Sequence, residues 1–178
     1  MNDEGATSSL VAVSATESYL AFYPISLRKL VVMSVCTLGL YEVYWFFCHW
    51  MYIRDAERSR LSPVVRAIFP LIFVYPLFRK IRSSAKTTGT PTGIAAGPLA
   101  LGWIVFKGMG VLPPPFLLLS LLSVLYLLPA QRVANSINAV TDPGHDPNDT
   151  FSTWNKIAIV IGGIIVLFAI VGSFVSPK

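Results

Sequence analysis

LRKLVVMSVCTLGLYEVYWFFCHWMYI, residues 27–53, opens with a basic pair and then runs apolar and aromatic around a single carboxylate, Glu42. Crossing a bilayer takes about 20 residues, so the run is long enough to be one membrane helix. Read that way, Glu42 lies near mid-depth, ~18 Å along the axis from Leu30. A lone carboxylate there is costly: it must face protein or water, be protonated, or be paired. Trp45, Phe46 and His49 follow on its helix face, with Leu38 and Gly39 one turn before it. Gly39 would let a second helix approach closely.

The rest of the chain has the same character. Its 178 residues are 54% hydrophobic and 13% charged, with a mean hydropathy of +0.63. Soluble domains carry about 25% charged residues, and a soluble fold of this length could not hide so much apolar surface. Residues 1–25 contain Asp3, Glu4 and Glu17 but no Lys or Arg, unlike the basic start of a cleavable signal. They read as a disordered or loosely ordered tail before one transmembrane helical domain, 26–176, whose first helix serves as an uncleaved insertion signal. Cys36 and Cys48, ~18 Å apart on that helix, read as free thiols. The formal charge of +5 does not indicate nucleic acid. The cations cluster at the ends of apolar segments, where the positive-inside rule places them, and no basic–aromatic module is present.

Four further apolar segments follow: Pro63 to Ile81, Gly93 to Leu112, Phe116 to Leu128 and Asn155 to Val175. The run Pro113, Pro114, Pro115 separates the third from the fourth. The second carries Pro63, Pro70 and Pro76 with Arg66, Arg79, Lys80 and Arg82. Proline breaks the helical ladder, so a re-entrant or interfacial helix fits better there than a clean span. With that segment uncrossed and both ends outside, 10 of the 14 cations fall on the cytoplasmic side. Arg28 and Lys29 then sit awkwardly at the outer face. The expected fold is all-α: a polytopic bundle of four spanning helices plus one Pro-broken re-entrant or interfacial helix. In the last segment Ala158, Gly162, Ala169 and Ser173 form a small-residue stripe that suits close packing, within the monomer or in a homo-oligomer.

Arg66 is the first candidate partner for Glu42, because a re-entrant second segment would carry it beside the first helix; Arg132 is the second. One reading of the pair is proton or cation handling; the other is a structural tie. His49 reads as a hydrogen-bonded packing residue. Gln131, Asn135 and Asn138 share one helix face beyond the fourth segment. The polar loop 139–153 holds TDPGHDPND (141–149), whose Pro, Gly and Asp make turns. His145, Asp146 and Asp149, with Asp142, are its metal candidates, but calcium-loop and zinc spacings are lacking and a solvated turn is expected. No H-E-x-x-H, G-x-S-x-G or phosphate-cradling loop occurs, so neither enzyme nor cofactor is expected.

TLGLYEVYWF (37–46), SPVVRAIFPLIFVYPLFRKI (62–81), LPAQRVANSINA (128–139) and TWNKIAIVIGG (153–163) together resemble an uncharacterised family of small bacterial inner-membrane proteins opening with a T-x-G-[IL]-Y-x-x-Y-W helix. The resemblance implies a bacterial source and a multi-pass inner-membrane bundle, and brings no catalytic residue. The expected function is helix–helix or protein–protein interaction in that bilayer, with a membrane protein or a second copy as partner; protection against a membrane-acting toxin is one version. The alternative is a small proton or cation channel or proton-coupled carrier using Glu42.

Overall fold

A computed structural model describes residues 20–113 and 116–175, with side chains omitted for Leu117 and 173–175; among the described residues there are eight α-helices and no strand. Residues 27–53 form two helices, not one. α1 (Leu27–Cys36) stops at Thr37, Leu38 and Gly39, and α2 (Leu40–Ala56) runs back beside the segment that precedes α1. The rings of Tyr23 and His49 are 6.2 Å apart; one continuous helix would separate them by roughly 30 Å.

The reversal is built by hydrogen bonds. The Thr37 hydroxyl donates to the Met33 carbonyl at 2.7 Å and accepts from the Tyr41 amide at 2.9 Å. The Gly39 amide reaches back to the Ser34 carbonyl at 2.7 Å, closing the helix end as a Schellman-type cap does. This requires left-handed backbone at Leu38 (φ 51°) and Gly39 (φ 83°), which costs little at glycine and more at leucine. At 1.5 Å per residue α1 is ~15 Å long, about half the hydrocarbon thickness, so it cannot be the expected span.

The second segment is Pro-broken as its sequence predicts. α3 (Pro63–Ile68) and α4 (Pro70–Thr87) meet at Phe69, outside helical geometry at φ −109°, ψ 56°. Contact between the Phe73 and Trp50 rings at 6.3 Å, and a 2.6 Å bridge between Lys80 and Glu57, set α4 parallel to α2. The α3–α4 elbow is apolar and exposed at Ile68, Phe69, Leu71 and Ile72.

A third reversal joins α5 (Ala96–Gly108) and a 3₁₀ turn, Met109–Val111, to α6 (Phe116–Leu119), a second 3₁₀ turn, Ser120–Ser123, and α7 (Val124–Thr141). The triple-proline run falls at this reversal, with Pro114 and Pro115 outside the described residues. Gly102 faces the Tyr126 ring and Gly110 faces Ser120, so α5 is antiparallel to the returning helices. Trp45, Phe46, Trp50, Phe78, Trp103 and Leu127 fill the core between these hairpins.

α8 (Thr153–Val175) contains the one helical stretch among the described residues long and apolar enough to cross a membrane, Thr153–Gly172. It docks alongside α1, with Gly162 against the Cys36 carbonyl so closely that a Cβ would collide. Of the small-residue stripe, Gly162 and Ala158 meet the body; the Ser173 side chain lies outside the described residues. Gly162→Val should therefore undock α8 at a cost of about 1–3 kcal/mol. The readout is faster labelling of Cys36 by a thiol reagent in detergent, with buried Cys48 as internal control.

The bundle has two unlike poles. At one lie the turn at 37–39 and the reversal between α5 and α6, with Leu40, Val111 and Phe116 exposed. The far half of α8 extends past that pole. Lys107 is the only described cation there; the remaining described Lys and Arg residues lie in the other half, with the loop after α7. The hairpin at 37–39 thus puts Arg28 and Lys29 on the same side as Arg54, Arg58 and Arg60, removing the misfit of a straight first helix.

Candidate functional site: a buried ion pair and an amide ladder

Glu42 sits in the first turn of α2, 0% exposed. Its Oε2 accepts from the Trp103 indole N–H at 2.8 Å and pairs with Lys107 Nζ at 3.2 Å. The Ser123 hydroxyl donates to the same carboxylate at 2.9 Å. Lys107 also reaches the Gly39 carbonyl at 3.4 Å, across a backbone that carries no Cβ. One carboxylate therefore ties the α1–α2 turn to α5 and to the 3₁₀ turn before α7. The lysine is 24% exposed, so its charge is partly solvated, whereas Glu42 depends on its three donors.

The sequence-based partners of Glu42 are not the ones observed. Arg66 lies over the Trp50 and Phe73 rings, 4.3 Å and 5.0 Å from their centroids. The Phe69 elbow holds α3 against the part of α2 beyond His49, more than two turns from Glu42. Arg132 is exposed on α7, next to Gln131. The missed residues are Lys107, Trp103 and Ser123. Lys107 had a signal: it is the lone cation inside the third apolar segment, as Glu42 is the lone carboxylate inside the first.

About two turns along α7 lies a second polar cluster. Gln131 donates to the Tyr23 carbonyl at 3.0 Å and to Asn135 Oδ1 at 2.7 Å. Its Oε1 accepts from Trp45 Nε1 at 2.6 Å and contacts His49 Nε2 at 3.0 Å. Both amide hydrogens of Gln131 are committed, so its oxygen faces His49 and the imidazole proton resides on Nε2. His49 Nδ1 is buried without a partner among the described residues. Asn135 donates to the Ile25 carbonyl at 2.8 Å, and Asn138 exchanges two bonds with Phe22, at 2.8 Å and 3.1 Å.

The shared face of Gln131, Asn135 and Asn138 thus has a definite task. It supplies hydrogen bonds to segment 20–26, which belongs to no helix or strand. Phe22, Tyr23 and Ile25 are buried, so these residues belong to the core and not to a loose tail; residues 1–19 lie outside the described residues.

The loop after α7 is docked rather than freely solvated. Asn148, at φ 51°, donates to the Pro24 carbonyl at 3.1 Å and to the Tyr23 hydroxyl at 3.0 Å. Lys29 Nζ donates to Asn148 Oδ1 at 2.6 Å and to the Thr150 carbonyl at 2.7 Å. Among the described residues no three potential metal ligands come together. His145 Nδ1 contacts the Asp142 carbonyl, Asp146 accepts from the Asn148 amide, and Asp149 pairs with Arg28 at 3.4 Å. The Ser26 hydroxyl and the Arg28 guanidinium hold the Asp149 carboxyl below its ordinary value of 3.8. A depressed carboxylate favours the docked state above that ordinary value and loses this effect on acidification through the lowered one, so loop docking weakens only below about pH 4. Lys29→Met should free the loop, costing about 1.5–3 kcal/mol, and expose 142–152 to limited proteolysis at neutral pH.

No family model matches the chain, and neither a curated protein nor a solved structure matches it significantly. Function is therefore read from the side chains themselves.

Proposed function

We propose that this chain is a non-enzymatic integral protein of the bacterial inner membrane that acts by binding another membrane helix or protein. The observation that carries this reading is α8. It meets the body along α1, while Val160, Ile161, Ile164, Leu167, Phe168 and Val171 are exposed. In this reading α8 crosses the bilayer, and the three hairpins enter it from the charged side, turns first. That placement gathers the described cations other than Lys107 on the cytoplasmic face, a stronger bias than the sequence count allowed. A partner helix, from a second copy or a different protein, packs on the free face of α8. A guard against a membrane-acting toxin is one form this function could take.

The carrier reading needs a carboxylate that loads and unloads. Glu42 instead accepts from Trp103 and Ser123 and pairs with Lys107, all within 3.2 Å, the pattern of a structural tie. A photo-crosslinking residue at Phe168 in cells should give a defined protein adduct; labelling of lipid alone would remove the interaction reading. Proton flux through proteoliposomes that a well-folded Glu42→Gln protein loses would replace it with the carrier.

A further inference from the structure

The Pro-broken hairpin and α2 enclose a groove of about 440 Å³, lined by Trp50, Arg66, Tyr75, Arg79, Lys80 and Ser83. A second hollow, of about 300 Å³, continues it along α4, sharing Arg79 and Ser83 and adding Arg82 and Lys86. Among the described residues no carboxylate lies within ion-pair distance of Arg66, Arg79, Arg82 or Lys86. The acid at the rim is Glu57, already engaged by Lys80. Arg66 lies over the Trp50 and Phe73 rings, which hold its guanidinium in place while its N–H donors have no partner among the described residues. The Trp50 indole N–H is also buried without a partner among the described residues. One arginine held over aromatic rings, the unpaired Arg79, Arg82 and Lys86 along α4, and a hydroxyl at Ser83 form a receptor for a phosphate group.

We propose that this groove binds the headgroup of an anionic phospholipid. The choice of a lipid over a soluble phosphate rests on what adjoins the groove. Ile68, Phe69, Leu71 and Ile72 are exposed at the elbow, and Tyr75 lies between them and the cations. An acyl chain covers such a surface, and a soluble phosphate compound leaves it bare. The order along α4, apolar elbow, tyrosine, then Arg79, Lys80, Arg82 and Lys86, matches the order of acyl region, interface and headgroup layer. The inference rests on the bilayer placement above and not on α8 having a partner.

The test uses full-length protein in neutral detergent, with lipid retention read by native mass spectrometry. Phosphatidylglycerol competes with phosphatidylcholine of the same chains. Wild-type protein should retain phosphatidylglycerol preferentially, and Arg66→Gln with Arg79→Gln should cut that preference about 25-fold, roughly fivefold for each cation. Arg54→Gln with Arg58→Gln, at the same charged pole but outside the groove, should leave the preference largely intact. Millimolar glycerol phosphate should not displace the lipid. An unchanged preference in the groove pair, an equal loss in the control pair, or displacement by glycerol phosphate would overturn the proposal. If the groove pair does not fold, Arg79→Glu alone, at an exposed position, must abolish the preference. Failure of wild-type protein to float with phosphatidylglycerol vesicles would overturn the bilayer placement as well.

Discussion

Glu42→Ala should destabilise this protein by about 3–5 kcal/mol, more than any surface change in the molecule. The substitution leaves the Trp103 N–H and the Ser123 hydroxyl without their acceptor and Lys107 without its counter-charge, and it opens a hole in a closed core. Lys107→Met alone should cost less, because the lysine is partly solvated and two donors still reach the carboxylate. Combining Glu42→Leu with Lys107→Met should recover part of the loss, since apolar replacement of both partners removes the uncompensated charge. Chemical unfolding in mixed micelles, followed by tryptophan fluorescence, measures all four proteins. If Glu42→Ala unfolds at the wild-type denaturant concentration, the ion pair does not hold the hairpins together.

Gln131→Leu is the second large effect, about 2–4 kcal/mol. Leucine fills much of the same space but cannot serve Trp45, His49, Asn135 or the Tyr23 carbonyl, and several buried polar groups lose their partner at once. The loss should be local before it is global. Segment 20–26 has no sheet partner, so its order depends on Gln131, Asn135, Asn138 and Asn148. Hydrogen exchange should show the Phe22 amide, which donates to Asn138, losing protection far more than amides in α4. Equal loss of protection throughout would mean that the segment and the bundle unfold as one unit.

The all-helical class, the proline break near residue 70 and the apolar character of α8 were legible in the sequence. Each depends on a property carried by nearby residues: proline has no amide hydrogen to give, and an uninterrupted apolar run needs no distant partner to declare itself. Glu42 was legible too, as a residue that must be paired. The shared face of Gln131, Asn135 and Asn138 was visible from spacing, though not what it faces.

The tertiary structure decided what lay beyond that reach. The reversal at Thr37, Leu38 and Gly39 is hidden because one glycine in an apolar run suits a continuous helix equally well. The chain turns there since the hairpin allows Tyr23 to lie beside His49 and brings Glu42 to Lys107. Lys107 stood out as the lone cation of its apolar segment, but its pairing with Glu42 was hidden, because the choice among Arg66, Arg132 and Lys107 depends on which helices become neighbours. A charged side chain states its need for a partner locally, whereas the identity of that partner is a property of the folded bundle.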